Sequence, residues 1–139
     1  MKPQDYHRIG IVDIKEIRAR QKTVVGASPK DQPRTELFGK QVKLFSRGTR
    51  LRTFYRSTKC SACGLQASYY AVERPVRETD DFPYHLNLWG KDKKGNEILF
   101  THDHTLARSA GGADNVSNTT TMCSPCNFAK SLVEKRGKC

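Results

Sequence analysis

The chain has 139 residues and a formal charge of +11, from 25 Lys+Arg against 14 Asp+Glu. Only 36% of residues are hydrophobic and the mean hydropathy is −0.70, so a large apolar core is not expected, and a metal, a disulfide or a partner should help hold the fold. No apolar run reaches the ~18 residues of a spanning helix, and residues 1–17 hold no secretory h-region, which predicts a soluble intracellular protein.

Ile11, Ile14 and Ile17 recur at helical spacing, so a short helix is expected over Ile9–Ala19. Gly26–Arg34 carries Gly, Ser and two Pro and reads as a linker. Charge then accumulates. Residues 1–59 hold 15 Lys+Arg against 5 Asp+Glu, whereas residues 60–139 hold 10 against 9. No acid lies between Glu36 and Glu73, while Lys40, Lys43, Arg47, Arg50, Arg52, Arg56 and Lys59 follow one another with Phe45, Phe54 and Tyr55 among them. Such a stretch predicts a surface that tracks phosphates; a merely solvated face is the plainer alternative. Residues 41–56 read as a strand pair around Ser46-Arg47-Gly48, with a helical start as the alternative. No basic helix with a broad apolar face is visible, so a membrane is not expected as the polyanion.

Five cysteines occur, four of them as Cys60-x-x-Cys63 and Cys123-x-x-Cys126. Two residues between thiolates let one turn present both sulfurs to a single ion, and two such turns complete a tetrahedral zinc site. That site would tie distant parts of a thinly cored chain together. Disulfides and a thioredoxin-like redox pair are the competing readings. The odd cysteine count and the lack of a βαβ pattern argue against them, and Cys139 reads as an exposed bystander.

Between the pairs, Ala67–Val72 reads as a strand and Glu73–Asp81 as a loop. Tyr84–Gly90 and Asn96–Thr101 read as strands of a hairpin around Lys91–Gly95, with Trp89 as its anchor and His85 as a structural or DNA-facing side chain. Ala110–Asp114 reads as a turn, Val116–Met122 as extended chain, and the stretch from Pro125 as a helix stopped by Gly137.

Residues 101–131, THDHTLARSAGGADNVSNTTTMCSPCNFAKS, place Asp103-His104, Ser109, Gly111-Gly112, Asn118, Cys123-x-x-Cys126-Asn127 and Lys130 in one order. This segment resembles the HNH endonucleases of the ββα-metal (His-Me finger) superfamily. The resemblance implies an α+β fold: a small zinc-stabilised ββα-metal module over residues 59–139, with a basic DNA-contacting segment over residues 1–58. It further implies that His104 is the general base and that Asn118 holds its ring. Asp103 and Asn127 would bind a catalytic Mg²⁺ or Mn²⁺, and Cys60, Cys63, Cys123 and Cys126 a structural Zn²⁺.

Phosphodiester hydrolysis needs those residue types. An imidazole can take a proton from water near neutral pH, and a hard cation held by few oxygens keeps open positions. Lys130 would contact phosphate or backbone, and the two glycines would keep the loop clear for DNA. His102 would be a supporting or substrate contact. Asn127 stands where the second family histidine is usual, Ala107 where proline is usual, and Thr119 where leucine is usual.

The expected partner is double-stranded DNA, the expected state a monomer or homodimer, and the expected product a nick unless two copies act together. A homing or nicking enzyme of a phage or mobile element, in the cytoplasm of a bacterial host, is implied by the resemblance alone. The rival readings are a non-catalytic Cys₄ module that binds DNA or RNA, and a structure-selective or nonspecific nuclease.

Overall fold

A computed structural model describes residues 2–28, 30–79, 81–105 and 116–136, with the side chains of 134–136 left out. The expected glycine turn at 110–114, Ala107, Ser109 and Cys139 lie outside the described residues. After a 3-10 turn at Pro3–Asp5 come strand β1 (Tyr6–Val12), helix α1 (Ile14–Lys22), strands β2 (Arg34–Leu37) and β3 (Lys40–Lys43), and helix α2 (Arg50–Arg56). Strands β4 (Tyr69–Pro75), β5 (His85–Lys91) and β6 (Glu97–His104) follow, then a 3-10 turn at Val116–Asn118, strand β7 (Thr119–Cys123) and helix α3 (Ser124–Arg136). Five strands form one sheet in the order β1-β4-β5-β6-β7, with every neighbouring pair antiparallel; β2 and β3 form a separate hairpin.

The helix expected over Ile9–Ala19 is half strand. Residues through Val12 pair with β4, and the helix begins after Asp13, whose carboxylate accepts a bond from the Lys15 N–H at 2.9 Å. Asp13 is therefore a helix N-cap, and the side chain placed inward by α1 is Ile17. The strand pair expected around Ser46–Gly48 is displaced as well. Strand β3 turns back on β2 through Phe38 and Gly39, both at positive φ (53° and 77°), and residues 50–56 form α2.

The hairpin expected around Lys91–Gly95 is present. Asp92 Oδ1 accepts from the N–H groups of Lys94 and Asn96 at 2.9 Å each, and Gly95 takes the positive φ of 83° that closes the turn. At Gly90 a Cβ would lie 2.7 Å from Phe100 Cε1, so the ring fills the place of a side chain.

One face of the sheet carries Tyr70, Val72, Leu86, Leu88, Phe100 and Met122 into a core shared with Ile17, Leu44, Phe45, Leu51 and Phe54. The basic N-terminal third is thus packed into the same core as the cysteine-bearing part. On the opposite face Trp89 is fully buried, with Ala71 and Leu99 around it. Its indole N–H donates to Glu73 Oε1 at 2.6 Å, and Arg8 Nε holds Glu73 Oε2 at 2.9 Å. Arg8 also reaches Glu97 at 2.7 Å, so the buried Glu73 has the partners a charge inside a protein requires. No helix among the described residues is long and apolar enough to cross a membrane.

Candidate functional site

The cysteine pairs meet. Residues 60–63 follow α2 in a turn, and Ser61 N–H donates to Thr121 O at 2.9 Å, which brings that turn against β7. The four sulfurs lie within 4.8 Å of one another, and Cys63 Sγ is 3.7 Å from Cys123 Sγ. Sulfurs ~2.3 Å from a tetrahedral zinc ion stand roughly 3.8 Å apart, whereas a disulfide requires about 2.05 Å. The four cysteines are unpaired as disulfides, and the cluster has the spacing of a zinc site. Burial opposes the charged form of Cys60, but backbone N–H donors from Cys63, Cys123 and Ala62 outweigh it and bring the thiol down to about 6.

A second cluster forms where α3 crosses β6. Successive side chains of a strand alternate in direction, so Leu99, Thr101 and Asp103 share one side of β6. Helix α3 lies along that side, with Ser124 Oγ donating to Leu99 O at 2.7 Å and Asn127 Nδ2 donating to Thr101 Oγ1 at 2.8 Å. Lys130, one turn later, puts Nζ 2.7 Å from both Asp103 Oδ2 and the His104 carbonyl. The structure therefore brings Asp103, Asn127 and Lys130 together.

Thr101 was not singled out in the sequence, although its position two residues before Asp103 carries the signal. Its hydroxyl donates to Met122 O at 3.1 Å, so it meets Asn127 as an acceptor. That fixes the amide with its NH₂ toward Thr101 and leaves Oδ1 available to a cation. The Lys130 ammonium already resting on Asp103 marks a place suited to positive charge. Carboxylate and amide oxygens are the donors a hard divalent cation prefers, so these residues fit such an ion.

His104 ends β6 on the alternate side, with the His102 ring 6.4 Å from its own. Across the ladder His104 pairs with Thr119, and Thr105 N–H donates to Asn118 O at 2.7 Å, which sets Asn118 beside the end of the strand. Helix α2 packs on this side through Thr53 Oγ1 and Thr119 Oγ1 at 2.6 Å. Thr121 Oγ1 adds a bond to Ser57 O, also at 2.6 Å.

The basic residues divide by what they touch. Lys40, Arg47, Arg56 and Lys59 are exposed. Arg56 also donates to Val116 O at 2.5 Å, bracing the turn that carries Asn118. Arg52 is committed internally: it donates to the carbonyls of Val25 and Ala27 at 3.2 and 3.0 Å and lies 4.4 Å over the Phe45 ring. Lys43 and Arg50 line a cleft between β3, α2 and the ends of β4 and β5.

No curated protein and no solved structure matches the chain. Residues 90–131 match the family model described as HNH endonuclease. That span runs from the end of β5 into α3, so the strand pair and helix that gather Asp103, Asn127 and Lys130 are the part of the chain similar to HNH endonucleases.

Proposed function

We propose that the protein is a metal-dependent endonuclease that hydrolyses phosphodiester bonds in double-stranded DNA. The observation that carries this reading is the meeting of Asp103, Asn127 and Lys130 where α3 crosses β6, inside the segment that matches the HNH family.

Asp103 and Asn127 Oδ1 would hold a Mg²⁺ or Mn²⁺ ion. When bound, that ion would neutralise charge on the phosphate at the transition state and on the leaving 3′ oxygen. His104, at the end of the same strand, takes a proton from the attacking water on its imidazole, and Asn118 keeps that ring aimed. Lys130 steadies the Asp103 carboxylate and the backbone of His104 together. The Cys₄ cluster would hold Zn²⁺ as a structural ion. Exposed Lys40, Arg47, Arg56 and Lys59 would meet DNA phosphates. Acting alone, one such site cuts one strand, so a monomer nicks and a double-strand break takes two copies. A nicking or homing role in a phage or mobile element, inside a bacterial cytoplasm, belongs to the same reading.

Supercoiled plasmid with Mg²⁺ or Mn²⁺ tests the activity. The expected result is conversion to the open circle by the wild type and a loss of roughly 10²-fold or more in His104→Ala. Asp103→Ala should lose cleavage while DNA affinity stays nearly constant. Intact plasmid under every divalent ion, or a His104→Ala variant that cuts like wild type, would sink the enzyme reading and leave a zinc-bearing binding module.

A further inference from the structure

The cleft that Lys43 and Arg50 line is a cavity of about 390 Å³ on the β1–β4–β5 side of the sheet, away from the β6–β7 pair. Its charge is unbalanced. Among the described residues neither Lys43 nor Arg50 has a carboxylate within ion-pair distance, and Arg50 reaches Asn87 Oδ1 at 3.5 Å. Burial lowers the Arg50 pKa, outweighing the opposing pull of the Tyr70 and Tyr6 phenols. The one carboxylate in the wall, Glu73, is already engaged by Arg8, Asn87 Nδ2 and the Trp89 N–H.

His85 faces the same space, and its pKa is lowered by burial, then by the charges of Arg50 and Lys43. Three cationic or protonatable groups therefore converge on a cavity whose carboxylate, Glu73, is bound to other partners. All three are half-buried, and cationic groups partly withdrawn from water favour an anionic partner. Ser46 adds a hydroxyl to the wall, and the Phe82 ring, edge-on to His85 at 5.5 Å, adds a flat apolar side. Lys43 and His85 also border a neighbouring cleft with Arg34 and Tyr84, which extends the basic lining along the surface.

We propose that this cleft is a phosphate-group site in which Lys43, Arg50 and His85 bind a phosphoryl anion and Ser46 hydrogen-bonds it. The anion is either a backbone phosphate of nucleic acid or a free phosphate or nucleotide. Neither source requires the β6–α3 cluster to cut. His85 and Asn87 stand on β5, which neighbours β6 in the sheet at a strand spacing of ~4.8 Å, so the cleft reaches the strand next to β6.

The test follows the His85 imidazole by NMR in the intact protein, with His85→Gln assigning the signal. Inorganic phosphate, a nucleoside monophosphate and a short DNA duplex are titrated separately. Each should raise the His85 pKa if it places an anion beside the ring. Lys43→Gln, at a half-buried position that tolerates a neutral side chain, should weaken phosphate binding by about tenfold and reduce the salt slope of duplex binding by about one. Arg50→Gln is read alongside with a thermal melt.

A response to all three ligands assigns the site to a nucleic-acid strand; a response to the small ligands alone assigns it to free phosphate or nucleotide. An unmoved His85 with every ligand, together with a wild-type salt slope in Lys43→Gln, overturns the proposal. His104→Ala should keep the His85 response, so failure of the nuclease reading and failure of this one are separate results.

Discussion

Thr101 decides which end of the Asn127 amide faces away from β6. With its proton committed to Met122 O, the hydroxyl can only accept, and the amide must turn its NH₂ inward. Thr101→Val removes that acceptor while keeping the shape. Mn²⁺ affinity measured by calorimetry should fall by about tenfold, the scale found when a residue supporting a metal ligand is lost. Thr101→Ser should restore it, and an unchanged affinity in Thr101→Val would remove Thr101 from this role. That Asp103, Asn127 and Lys130 meet where α3 crosses β6 followed from their order in the sequence, with the strand and helix that carry them. Thr101 was not legible, because a threonine in a strand is ordinary until the helix lying across it is known. The charge run carried a similar ambiguity. It gave the sign of the surface, but nothing in the order of residues told that Arg52 is tied to Val25 and Ala27 while Arg56 stays exposed.

At the level of elements, the β5–β6 hairpin and α3 were readable from alternation, turn residues and helical spacing, while the expected stop at Gly137 lies outside the described residues. The first 56 residues were read less well because two periodicities abut there. Ile9 and Ile11 belong to a strand, Ile14 and Ile17 to a helix, and the break is marked only by Asp13 acting as a cap. The hairpin also has a dependence not visible in its pattern: the Phe100 ring sits over Gly90. Gly90→Ala should push that ring out of place and lower stability by about 1–3 kcal/mol, read as a shift in thermal or urea midpoint. A midpoint equal to wild type would show that Phe100 moves aside freely.

The molecule as a whole is held by a small core and an ion network around the buried Glu73, and the four cysteines stand at the spacing of a zinc site. Purified protein should carry about one zinc per chain by elemental analysis, and chelation should lower its melting temperature steeply. Zinc-free protein with the fold intact under chelation would remove the ion from the account. The ion network adds a pH dependence. Burial opposes the charge on Glu97, yet the Tyr69 hydroxyl and Arg8 outweigh it and hold the carboxyl below its usual range. A depressed carboxyl contributes stability at neutral pH that is lost as pH falls below ~4.3 and through its folded value. Glu97→Gln should therefore be slightly less stable at pH 7, by about 0.5–1 kcal/mol, and show a flatter acid limb in urea titrations. The same acid limb in variant and wild type would assign the acid loss to other groups.

The shared core has a consequence for how a duplex would be cut. Strand β1 lies in the same sheet as β6 and β7, and α2 bridges the basic surface to the turn holding Asn118. Among the described residues no separate unit divides the basic surface from the β6–α3 cluster. On the proposed function, the interval between contacted phosphates and the broken bond would be a fixed length, set by the width of the sheet. Footprint edge and nick position should keep the same offset on every substrate, as the jaws of a caliper do.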